Sequence, residues 1–95
     1  MLYGTDAGGS STAATVITGP VAASGHTYDH MYAYCATNNA LISIDGGSNY
    51  NIYLPAAQPL VLDGINITGD VLAKNAVSST AYTLLNITIW ETQGF

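Results

Sequence analysis

Apolar and polar residues alternate with a period of two along most of the chain, and the alternation stops at short clusters of Gly, Pro, Asn, Asp and Ser. The clearest unit is LISIDGGSNYNIYLP, residues 41–55. In its first half Ile42 and Ile44 share a face opposite Leu41, Ser43 and Asp45. In its second half Tyr50, Ile52 and Leu54 share a face opposite Asn51 and Tyr53. Between them Gly46-Gly47-Ser48-Asn49 supplies two residues able to take positive φ, which predicts a hairpin with a loop of about four or five residues. Pro55 ends the unit, since a proline cannot donate a ladder hydrogen bond.

The same period places other strands. ATVIT (14–18) ends at Gly19-Pro20. In YDHMYAYCAT (28–37), Tyr28, His30, Tyr32 and Tyr34 fall on one face, and Asp29, Met31, Ala33 and Cys35 on the other. Two bulky series predict a strand covered on both sides. Asn38-Asn39 is the turn that follows, and Pro55 and Pro59 bracket a connection. LVLD (60–63), INIT (65–68) and DVLAKNA (70–76) read as short strands punctuated by Gly64 and Gly69. The last and longest strand is YTLLNITIW (82–90), with Leu85, Ile87 and Ile89 toward the core.

Helical periodicity is almost absent, and the count reaches roughly seven or eight strands in one small domain. Sheets with one apolar face must stack on another sheet, so the expected fold is all-β: a single antiparallel β-sandwich, jelly-roll-like, over residues 13–95. The opening MLYGTDAGGSST is rich in Gly, Ser and Thr and is expected to be a flexible N-terminal arm over residues 1–12.

Composition changes the picture in one respect. Only 7% of residues are charged, against about 25% in ordinary soluble domains. Interface centres are depleted in Lys, Glu and Asp, so much of this surface is expected to face other protein. The balance is acidic, with Lys74 alone against six carboxylates and a formal charge of -5. Phosphate recognition draws on Lys and Arg, which argues against nucleic acid and anionic membranes as partners. No apolar run approaches the roughly 20 residues of a membrane span, and Met1-Leu2-Tyr3-Gly4 does not open like a secretory leader. The reading is a soluble, unprocessed chain with no membrane partner.

Candidate chemistry is sparse. Cys35 is the single cysteine and reads as a core residue. His26 and His30 flank Asp29, but on a strand residues 26 and 30 lie about 13 Å apart, too far to share one ion. The carboxylates Asp6, Asp29, Asp45, Asp63, Asp70 and Glu91 are scattered, mostly beside turns. No G-x-S-x-G elbow, P-loop lysine or calcium loop occurs. Asn66-Ile67-Thr68 and Asn86-Ile87-Thr88 match the glycosylation pattern but lie within predicted strands. The expectation is a chain that is not an enzyme and uses no cofactor or metal. The tyrosine face of residues 28–34 reads as a core wall, a protein interface or a platform for sugar rings.

A resemblance adds to this. Ser43, Asp45, Gly46 and Gly47 form an S-x-D-G-G hairpin, and Leu54-Pro55, Pro59 and Leu62-Asp63-Gly64 form the connection after it. Lys74-Asn75 ends one strand, and Trp90-Glu91 closes the last with an aromatic and an acid. In these features, spread over residues 42–91, the chain resembles the small β-sandwich cement or decoration proteins of tailed-bacteriophage capsids. The resemblance implies a virion structural protein made in the host cytoplasm and seated on the capsid surface. There it would bridge subunits of the major capsid protein, as a homotrimer with an N-terminal arm over its neighbours. It supplies no catalytic residue.

Leu2 and Tyr3 in the arm and Tyr50 and Tyr53 beside the hairpin are the expected contact residues. One of the two hairpin tyrosines should be buried and the other should touch a neighbour. The other reading is a glycan- or receptor-binding module of a phage fibre or surface, presented by the same tyrosines.

Overall fold

The computed structural model describes residues 1–18 and 28–92. Its strands are β1 (Leu2–Gly8), β2 (Ala14–Ile17), β3 (His30–Tyr34), β4 (Ala40–Ser43), β5 (Ile52–Leu54), β6 (Leu60–Asp63), β7 (Val71–Asn75) and β8 (Thr83–Trp90). They form two four-stranded sheets of order β1-β8-β3-β6 and β2-β7-β4-β5, and every pairing is antiparallel. The pairs β1·β8, β2·β7, β3·β6 and β4·β5 are nested. The chain is therefore one long ribbon doubled back at the β4–β5 hairpin, with successive pairs laid alternately in the two sheets. The contacts β3·β8 and β4·β7 close each sheet. This winding is the jelly roll, and it lets a ribbon with one apolar side bury that side against itself.

The core lies where the period-two pattern places it. Met31 and Ala33 of β3, Ala40 and Ile42 of β4, Val71 and Ala73 of β7, and Leu85, Ile87 and Ile89 of β8 are all buried. Full burial of each large aliphatic side chain contributes roughly 1.5–3 kcal/mol. Cys35 is buried with them, burial pushes its thiol pKa up, and its Sγ lies 3.2 Å from the Asn38 carbonyl.

Four expectations are corrected. The opening residues are not an arm outside the sandwich, because Leu2–Gly8 is an edge strand in register with β8. Residues 65–68 are not a strand: they cross between the sheets, with the Ile65 and Ile67 amides donating to the carbonyls of Asp29 and Tyr28. The β4–β5 loop spans residues 44–51, longer than expected, because the Ile44 carbonyl is taken by the amides of Thr68 and Gly69 and not by the partner strand. Tyr28 does not share the outer face of His30, Tyr32 and Tyr34 but turns into the core. Alternation holds only inside a ladder, and β3 begins at His30.

Candidate functional site

The inward side of β8 is fixed by Leu85, Ile87 and Ile89, so the alternate residues Leu84, Asn86, Thr88 and Trp90 stand on its outer face. Register carries that face across the sheet. Asp63, His30 and Trp90 form one row; Val61, Tyr32, Thr88 and Tyr3 form the next; Tyr34, Asn86 and Thr5 form a third. Tyr3 and Leu84 are each 65% exposed and Val61 is 57% exposed, while Tyr32, Tyr34 and Trp90 are half-buried. The chain's one basic side chain other than histidine, Lys74, is on β7 in the opposite sheet. This face thus sets aromatic and aliphatic side chains among Thr5, Asn86, Thr88 and, at one end, Asp63 and His30, with no Lys or Arg.

Leu84 takes φ 51°. The left-handed region is costly for a bulky residue. Beside Leu84 lies an open depression of ≈ 330 Å³ lined by Tyr3, Thr5, Asp6 and Asn86 among others.

One end of the face carries a network of polar bonds. His30 Nδ1 is 2.6 Å from Asp63 Oδ1, and its Nε2 is 2.9 Å from Thr92 Oγ1. The Thr92 hydroxyl donates to Asp29 Oδ2 at 2.5 Å, and the Thr92 amide donates to Asp29 Oδ1 at 2.9 Å. The ring also stacks on Trp90, with centroids 5.3 Å apart and planes 6° apart. The Thr92 hydroxyl, opposed by some desolvation and helped by His30, holds the Asp29 carboxyl below its ordinary pKa.

Asp63, His30 and Thr92 follow the order of a nucleophile triad, but the Thr92 proton is committed to Asp29. The two ring nitrogens of His30 face Asp63 on one side and Thr92 on the other. The arrangement ties the end of β8 to β3 and β6. The two carboxylates address opposite ring nitrogens, which does not suit one shared ion. Among the described residues no group of three His, Cys, Asp or Glu is placed to hold a metal. His26, considered with His30 as a ligand pair, lies outside the described residues.

A second polar cluster organises the opening hairpin. Asp45 Oδ1 accepts from Ser43 Oγ at 2.7 Å and from the amides of Ser48 and Asn49 at 3.1 and 3.0 Å, and Oδ2 accepts from Asn49 Nδ2 at 2.8 Å. These bonds, led by the Asn49 side chain, lower the carboxyl pKa to about 2. Its acceptor positions are filled by its own loop, as expected of a turn aspartate. Asn66 and Thr68 of the first sequon line a hollow beside Asp45 and Asn49, while Asn86 of the second is half-buried on β8.

The four contact residues expected from the sequence do not form one patch. Tyr3 stands on the outer face of the first sheet. Leu2, its neighbour on the strand, points the other way and packs on the core. Tyr53 is 51% exposed on β5 in the second sheet and accepts a hydrogen bond from Asn39 Nδ2 at 2.5 Å. Tyr50 is half-buried, with Lys74 Nζ 4.3 Å above its ring, so neither hairpin tyrosine is a core residue. Val61, Leu84 and Trp90 went unselected, although the alternation in LVLD and LLNITIW already placed them opposite the core series. Comparison of the chain with protein-family models, with curated proteins and with solved structures finds no match.

Proposed function

We propose that this chain is a non-enzymatic structural protein that docks on other protein through the outer face of the β1-β8-β3-β6 sheet, as a capsid cement protein of a tailed phage does on the major capsid protein. The observation that carries the reading is the gathering of Tyr3, Val61 and Leu84 on one face that has no Lys or Arg. Soluble domains seldom leave large apolar side chains clustered without a partner, and interface centres lack charge in the same way. The low charge of the whole chain and the resemblance of residues 42–91 support the same reading. The virion surface is the place it assigns.

Sedimentation with undecorated capsids tests it. The wild-type chain is expected to pellet with the shells, and Val61→Lys/Leu84→Lys to bind at least about tenfold more weakly with an unchanged Tm. Wild type that stays in the supernatant at saturating concentration would sink the proposal.

A second reading has its own support. Tyr32, Tyr34 and Trp90 stand half-buried on the same face beside Thr88 and Asn86, a combination of flat rings and hydrogen-bonding groups that suits a sugar. Retention on immobilised glycan, without capsid binding, would favour that module.

A further inference from the structure

Where the β4–β5 loop meets the crossing segment 65–68, a hollow of ≈ 240 Å³ opens to solvent. Its aliphatic lining, Ile42, Ile44 and Ile52, is buried or half-buried, and the polar side chains Asn51, Asn66 and Thr68 that border it are exposed. The hollow therefore has an apolar floor and a rim of side-chain amides and a hydroxyl. It shares no residue with the outer face of the first sheet and stands apart from the docking face.

Its walls are held by bonds already made. The amides of Thr68 and Gly69 both donate to the Ile44 carbonyl at 3.0 Å, which ties the crossing segment to the loop. Ile67 is buried between Asn66 and Thr68, which are both exposed. Ile42 and Ile52 are partners across the β4·β5 ladder, and the Asp45 carboxylate fastens Ser48 and Asn49. The rim, by contrast, has its bonds unspent. Among the described residues the side chains of Asn51, Asn66 and Thr68 form no hydrogen bond. A fixed hollow with an apolar floor and a few convergent polar groups is the usual form of a small-ligand site.

We infer that this hollow binds a single neutral sugar ring. An anion is disfavoured, since no Lys or Arg lines the hollow and the Asp45 carboxyl, with its pKa lowered to about 2, stands ionised beside it. A cation finds no free carboxylate, because the oxygens of Asp45 are taken by its own loop. A wholly apolar ligand would cover the rim side chains and leave them without partners, which is costly. A ring that carries several hydroxyls meets every condition. A side-chain amide both donates and accepts, so neighbouring hydroxyls find partners at Asn51, Asn66 and Thr68, while the C–H face of the ring rests on the isoleucines. The hollow is smaller than the roughly 300 Å³ at which drug-sized sites begin, which suits one ring and not a chain of them. The site is independent of what the first sheet docks on.

An NMR titration of the intact chain with the methyl glycosides of glucose, galactose, mannose and N-acetylglucosamine tests this. At least one is expected to shift the side-chain amide signals of Asn51 and Asn66 to saturation, while inorganic phosphate and Ca²⁺ leave them in place. Asn51→Ala/Asn66→Ala changes two exposed positions and should keep the wild-type Tm while binding that sugar at least about tenfold more weakly. Thr68→Val, which nearly keeps the side-chain volume, should weaken binding in the same direction. Val61→Lys/Leu84→Lys on the first sheet should bind the sugar as wild type does. The inference is overturned if none of these sugars gives a saturable shift up to about 100 mM, or if both rim variants bind as tightly as wild type. Shifts that fall on Tyr32, Tyr34 and Trp90 instead would put the sugar on the outer face and overturn it too.

Discussion

The phenolic O–H of Tyr82 donates to Asp6 Oδ2 at 2.7 Å, across a sequence separation of 76 residues. Tyr82 is fully buried, and Gly9 lies so close to its ring that a Cβ there would overlap it. This contact clamps the Gly and Ser-rich opening of the chain to the start of β8, and burial together with Asp6 pushes the Tyr82 pKa well above its ordinary value.

Tyr82→Phe leaves the Asp6 carboxylate without that donor. Hydrogen bonds to charged groups contribute about 1.5–3 kcal/mol, and a loss of this order is expected in chemical denaturation, with faster amide exchange along β1. The native state holds the Tyr82 proton where the unfolded chain has lost it. Wild-type stability should therefore fall as pH rises above about 10, and the fall should be absent in the variant. Deleting residues 1–8 should lower Tm as well.

At the hairpin, Asp45→Asn removes the anion that gathers Ser43, Ser48 and Asn49. Its folded pKa of about 2 lies below that of the unfolded chain. The contribution of the carboxylate is therefore present above the ordinary Asp range, near pH 4, and is lost as pH falls toward 2. Denaturation midpoints measured between pH 2 and pH 5 should show that slope in wild type and a flatter one in the variant.

Thr92→Val takes away the hydroxyl between His30 and Asp29. The Asp29 carboxyl pKa, lowered first by that hydroxyl, should move back up, as an NMR titration of its carboxyl carbon would read. Wild type should gain stability over the variant above the ordinary Asp pKa, and that gain should vanish in acid. An unchanged Asp29 titration would mean that the network does not form in solution.

Gly69→Ala forces a side chain into backbone. A Cβ at this position would stand 2.6 Å from the Gly46 amide nitrogen and 2.7 Å from the Asp45 carbonyl carbon. The two segments are already bonded, Gly69 N–H to the Ile44 carbonyl at 3.0 Å and Gly46 N–H to the Asp70 carbonyl at 3.1 Å. Neither can yield alone, and a loss of about 1–3 kcal/mol is expected, seen as a lower denaturant midpoint with an unchanged m value.

What could be read in the chain, and what could not, divides at particular residues. The alternation in YTLLNITIW placed Leu85, Ile87 and Ile89 inside, because side chains in a ladder must alternate, but it also set Tyr82 opposite them, and Tyr82 is buried because the period breaks at Leu84, φ 51°. The same alternation misled at INIT, where Ile67 is buried but its backbone bonds run to Tyr28 and not to a strand. Composition misled at Leu2–Gly8. Its glycines read as flexibility, yet Gly4 is there because the Val16 carbonyl passes where a Cβ would be.

The sequence by itself determined the all-β class, the core series Leu85, Ile87 and Ile89 of β8, and the scarcity of charge, since each follows from side-chain period or from counting. The nesting of β1 on β8, the gathering of Tyr3, Val61, Tyr32 and Leu84 on one face, and the His30–Thr92–Asp29 network were decided only in three dimensions. Each depends on strand order and register, and those are set by the closure of the whole ribbon on its core and not by any local run of residues.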